Sequence, residues 1–125
     1  FADFDEAAAS GTIEVVITEV SRRAVSSLSA PEALMLERLI DWIDRARPDA
    51  RMREAIYSAM LERLRGCIDQ AASQGQIRIA DSDIAANFWL DGLIGHVRGP
   101  SRRNETLDDW AQAYAGFFLR AISQT

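Results

Sequence analysis

A chain of 125 residues, 48% hydrophobic and 26% charged, has the make-up of one globular domain and not of a disordered or fibrous segment. Its net charge of −5 gives no electrostatic footprint for a phosphate backbone, so these residues are not expected to hold nucleic acid themselves. The lone Cys67 excludes an internal disulfide and fits a reducing, cytoplasmic compartment; no apolar run nears the roughly 20 residues that cross a bilayer, and none has the form of a signal peptide.

The opening residues, Phe1-Ala2-Asp3-Phe4-Asp5-Glu6, read as an element entered partway, so the chain is expected to be one domain of a longer protein. Five helical segments follow. Over residues 13–28, Ile13, Val16, Ile17, Val20, Ala24 and Leu28 recur at helical spacing. The β-branched start would also suit a strand, but no second strand candidate exists to pair with it. Ser29-Ala30-Pro31-Glu32 then has the form of a capping box with Pro in the first turn. The helix running to Arg47 divides into an apolar side (Met35, Leu36, Leu39, Ile40, Trp42, Ile43, Ala46) and a charged one.

Pro48 is expected to end that helix and open the next, which runs to about Ser73. Its apolar arc includes Ile56, Tyr57, Met60, Leu61, Leu64, Cys67 and Ile68, and Asp49/Arg53 and Arg65/Asp69 form i,i+4 pairs. Gly75 supplies the left-handed residue that closes it. A helix over residues 81–97 starts at an Asp81 cap and is apolar around most of its circumference, with only Asn87, Asp91 and Arg98 on a narrow polar strip. An exposed loop precedes a last helix, capped at Thr106 with Asp109, that carries apolar residues on both flanks to about Ser123.

Three amphipathic helices cannot readily cover two that are apolar around well over half a turn. A second copy can, by repeating one patch about a two-fold axis. The residues expected at that homodimer interface are Trp89, Gly92, Leu93, Val97, Trp110, Tyr114, Phe117 and Ala121. The chain contains no Gly-rich phosphate loop, metal-ligand cluster, Ser-nucleophile turn or His–Cys pairing, so catalysis is not expected and no cofactor is assigned. Asp81 and Asp83 are explained by helix capping and first-turn charge without a metal.

The order of several short stretches resembles the C-terminal effector-binding and dimerisation domain of TetR-family transcriptional regulators. They are Leu36-Glu37-Arg38-Leu39-Ile40, Ala71-Ala72-Ser73-Gln74-Gly75-Gln76-Ile77, Asp81-Ser82-Asp83-Ile84-Ala85-Ala86 and Leu90-Asp91-Gly92-Leu93-Ile94-Gly95. The resemblance spans about residues 13–122, and none of its motifs is diagnostic alone. It implies an all-α bundle of about five helices whose last two join their mates as an intermolecular four-helix bundle. It also implies a cytoplasmic bacterial repressor released by a small, largely apolar effector, with operator DNA read by an N-terminal helix-turn-helix absent here; residues 1–12 would then be a remnant of the connection. A pocket follows from the resemblance, and its candidate residues are Met35, Leu39, Trp42, Arg53, Tyr57, Met60, Leu64, Phe88 and His96. Beside these roles stand blander ones: His96 as a core or interface histidine, Arg53 as a snorkelling surface cation. The rival to the regulator is a stand-alone helical dimerisation or adaptor module without a ligand.

Overall fold

The computed structural model describes residues 11–79, 81–99 and 106–123. They form five helices, α1 (Ile13–Ser29), α2 (Pro31–Ala46), α3 (Met52–Ser73), α4 (Ser82–Arg98) and α5 (Leu107–Ile122), with no strand among the described residues. The β-branched start of α1 is thus helical. Residues 100–105 of the exposed loop expected before the last helix, and residues 1–10 of the expected N-terminal remnant, lie outside the described residues.

α1 is the central rod. Ile13, Val16, Ile17, Val20, Ser21 and Val25 are buried along one stripe, and the helix packs along α5 and across α4. Its first turn is capped from afar: Gln76 Oε1 accepts the Ile13 N–H at 2.8 Å. That bond ties the turn after α3 to the start of α1 and satisfies a donor that helix geometry leaves open.

The junction between α1 and α2 corrects one expectation. Ser29 is the last residue of α1 and not a cap for α2; Ala30 stands at the cap position without a side-chain bond, and Ser29 Oγ is buried with no partner. Pro31 needs no N–H at the first helical position, so the restart is tolerated. A second correction concerns Pro48. Residues Pro48–Ala50 form a single 3₁₀ turn, Arg51 adopts a left-handed conformation (φ 46°), and α3 begins only at Met52. The start is set by Asp44, whose carboxylate accepts the N–H groups of Met52 (2.7 Å) and Arg53 (3.1 Å). A carboxylate at a helix N-terminus both fills open donors and suits the dipole.

The other boundaries follow local chemistry. Gly75 (φ 77°) closes α3, its N–H bonding Ala72 O and the Gln76 N–H bonding Ala71 O in a Schellman pattern. Asp81 accepts from Asp83 N and Ile84 N at the head of α4, and Thr106 Oγ1 accepts from Asp109 N at the head of α5. The i,i+4 pairs expected on α3 give way to tertiary ones: Arg53 pairs with Asp41, and Arg65 with Asp83 at 3.3 Å.

The core lies where α1, α3, α4 and α5 meet. Ile17, Leu64, Ile68, Trp89, Leu93 and Phe118 are fully buried there, each contributing about 1.5–3 kcal/mol of apolar burial. Inside it, Trp89 Nε1 donates to Ser21 Oγ at 3.0 Å, satisfying two polar groups that burial would otherwise penalise. α2 is peripheral: Ile40 is its one buried residue. Its expected apolar side is largely uncovered, with Met35, Leu36, Leu39 and Trp42 exposed by 72, 54, 51 and 64%. Helical periodicity identifies the greasy side of a helix but not whether a neighbour reaches it.

Candidate functional site

Among the described residues, a half-open chamber between α2 and α3 and an uncovered apolar face on α4 and α5 bear most on function.

The chamber measures about 440 Å³, within the range of small-molecule pockets, about 300–1,000 Å³. Leu28, Leu36, Ile40, Ile56 and Met60 supply apolar wall; Arg53 and Tyr57 form its polar edge. Arg53 is held in three ways. One terminal nitrogen bonds Asp41 on α2, the other donates to the Tyr57 hydroxyl at 3.2 Å, and the guanidinium carbon lies 5.8 Å from the Tyr57 ring centroid. Its pKa is raised, first by the hydrogen bond to Asp41. Arg53 and Tyr57 also line a second, more polar cleft of about 550 Å³ towards α4, with Asp44, Arg51, Asn87 and Asp91.

Of the expected pocket residues, Arg53, Tyr57 and Met60 do meet at this chamber. The others do not line it. Leu64 is fully buried in the core, and Met35, Leu39 and Trp42 are exposed on α2. Phe88 faces outward on α4, and His96 is stacked on Trp110. Sequence reasoning missed Leu28, Leu36, Ile40, Ile56 and Glu37, which complete the wall. Leu36 and Ile40 lay on the apolar side already noted for their helix; nothing in the pattern distinguishes them from Met35 and Leu39, which point elsewhere. Glu37 has a second role: Arg98, in the last turn of α4, holds both its oxygens, at 2.8–3.2 Å. The chamber wall is thereby tied to the end of α4.

The second feature runs along α4 and α5. Ile84 (67% exposed) and Phe88 (55%) lie one turn apart on α4, and Phe117 (58%) lies on α5. Ile84 and Phe88 also line a shallow groove with Ala121 and the fully buried Phe118. Beside them, His96, Trp110 and Tyr114 stack in series across the seam between the helices, with centroid spacings of 3.7 and 4.8 Å. The Tyr114 hydroxyl donates to Trp89 O at 2.8 Å, directly over Gly92. Burial, then the charge of Asp91, pushes the Tyr114 pKa up to about 12.

Of the expected interface residues, Phe117 and Ala121 are exposed on this face, with Trp110 and Tyr114 half-buried beside them. Gly92 lies under Tyr114, and Val97 packs against the core. Trp89 and Leu93 correct the expectation. Both are fully buried within their own chain and leave no side-chain surface for another to touch. α4 is apolar around most of its girth because one side feeds the core through these two residues, while Ile84 and Phe88 carry the outer side.

No protein-family model, no curated protein and no solved structure matches this chain. No helix among the described residues is long and apolar enough to cross a membrane.

Proposed function

We propose that this chain is the effector-sensing and dimerisation domain of a TetR-like transcriptional regulator, pairing with a second copy through α4 and α5 and binding a small, largely apolar molecule between α2 and α3. The observation that carries this reading is the face of Ile84, Phe88 and Phe117, three large apolar side chains more than half exposed on two neighbouring helices. Isolated exposed apolar residues are ordinary; here Ile84 and Phe88 line one groove with Phe118 and Ala121, and Phe117 stands exposed next to Phe118 on the same helix, a grouping that supports an interaction surface. A two-fold axis near Phe88 and Phe117 sets each side chain against apolar surface of the mate, and it repeats the patch without needing a different partner. The aromatic series of His96, Trp110 and Tyr114 adds rigid contact area at its edge.

Sensing rests on the chamber and on its link to the dimer helix. A ligand entering beside Glu37 bears on the Glu37–Arg98 pair, which joins α2 to the last turn of α4. An effector acts only through unequal affinity for two arrangements, and this junction is where the arrangements would differ. Operator contact is assigned to a helix-turn-helix outside these residues, because a net charge of −5 gives the segment no general attraction for a phosphate backbone.

Sedimentation velocity at micromolar concentration tests the pairing. The expected result is a species of twice 13.9 kDa that Phe117→Glu or Phe88→Glu converts to the single chain. A lone 13.9 kDa species in the unaltered chain at every concentration refutes the dimer.

One observation favours a second reading, a helical adaptor without a small-molecule ligand. Met35, Leu39 and Trp42 form an exposed i, i+4, i+7 stripe on α2, a second apolar surface for a protein partner. That reading expects no thermal stabilisation by hydrophobic compounds, whereas the sensor expects stabilisation that rises with ligand concentration.

A further inference from the structure

We infer that the chamber between α2 and α3 selects an amphipathic molecule with a flexible apolar body and a carboxylate head, the head held by Arg53 and Tyr57. This inference rests on the sensing role proposed above and specifies its ligand.

The chamber's chemistry is asymmetric. Leu28, Leu36, Ile40, Ile56 and Met60 offer a body-binding wall, and Met60 can adjust to the shape of what it meets. Apart from the Ser27 hydroxyl on α1, the side-chain donors of the lining are at one edge. Arg53 has N–H groups in a planar fork suited to two carboxylate oxygens. Tyr57 accepts from Arg53 through its hydroxyl oxygen, which leaves the hydroxyl proton to donate. Because these two side chains also line the more polar cleft towards α4, a head group held there keeps contact with water while the body is covered.

A cationic head fits less well. The chamber has two carboxylates, Glu37 and Glu32, and the adjoining cleft has Asp44, which caps α3, Glu54, which lies 3.8 Å from Arg51, and Asp91. Both oxygens of Glu37 are already taken by Arg98, and Glu32 stands exposed at the rim, where ion pairs are weak. Arg53 is itself paired with Asp41, but the Asp41 side chain is half exposed. An incoming carboxylate therefore replaces an ion pair that water already screens, and gains the Tyr57 donor and a covered apolar body in return.

The test uses decanoate, decanol and decylamine, three probes with one body and different heads, each displacing the neutral dye Nile red from this chain. Decanoate is expected to bind about tenfold or more tighter than decanol, with decylamine weakest, as charge-assisted bonds exceed neutral ones. Arg53→Gln should erase the preference while leaving decanol unchanged, Tyr57→Phe should weaken decanoate a few-fold, and Asp41→Asn should strengthen it by freeing Arg53. If Arg53→Gln fails to fold by circular dichroism, the Tyr57 and Asp41 variants carry the decision. Equal affinity for decanoate and decanol, or loss of all three probes together in Arg53→Gln, overturns the head-group assignment and leaves the apolar chamber standing. Failure of Nile red and every probe to bind overturns the sensing role, and the ligand class with it.

Discussion

Replacing Gly92 by Ala decides between two opposed effects. On helix propensity alone the change is favourable, since Ala exceeds Gly by about 1 kcal/mol in a helix interior. The structure reverses the sign. A Cβ at position 92 falls on the Tyr114 hydroxyl, well inside van der Waals contact, and 2.9 Å from the ring carbon that carries it. Tyr114 must swing away. It then loses its bond to Trp89 O, about 0.5–1.5 kcal/mol, and its stacking on Trp110, about 0.5–1.5 kcal/mol. Part of its ring burial goes as well, so the losses exceed the propensity gain and leave a net destabilisation of about 1–2 kcal/mol. In a domain of this size that lowers the melting temperature by about 3–6 °C. Gly66 is the control. It lies exposed within α3 with nothing near a new Cβ, so Gly66→Ala should stabilise by about 0.5–1 kcal/mol. Urea unfolding followed by circular dichroism, at one fixed protein concentration, measures both. In a Tyr114→Ala background Gly92→Ala should recover the stabilising sign. Gly92→Ala matching the gain of Gly66→Ala in the unaltered background would refute the reasoning.

Two further outcomes follow from buried polar groups. Ser21→Ala removes the acceptor of the Trp89 indole N–H inside the core, leaving a buried donor unsatisfied at a cost of about 1–3 kcal/mol; a urea midpoint unchanged from that of the unaltered chain would contradict it. Tyr114 is protonated in the folded chain up to about pH 12, whereas an unfolded tyrosine titrates near pH 10. Its raised pKa therefore adds stability that is complete below about pH 10 and is lost as pH climbs towards 12. Ultraviolet titration of the phenolate should contain a late step that disappears in Tyr114→Phe, and finding the same late step in that variant would reassign it.

What local pattern specifies, the sequence determined by itself. The all-helical class, the cap at Asp81, the cap at Thr106 and the left-handed Gly75 depend on neighbours within a few residues, and each is visible in a short stretch of chain. The buried stripe of α1 from Ile13 to Val20 was equally legible, because a 3.6-residue period survives without knowledge of the partner. The same holds for the excess of apolar surface on α4 and α5. Tertiary structure decided the rest. It chose Leu36 and Ile40 over Met35 and Leu39 as chamber wall, assigned Trp89 and Leu93 to the inside of α4 and Phe88 to the outside, and paired Arg53 with Asp41 rather than Asp49. Asp44 moved the start of α3 to Met52 by reaching across eight residues to its first open N–H groups. The common reason is that periodicity reports which side of a helix avoids water, and local spacing reports which charges can meet. Which neighbour arrives on that side, and which distant charge outbids the local one, depends on where the other helices lie in space.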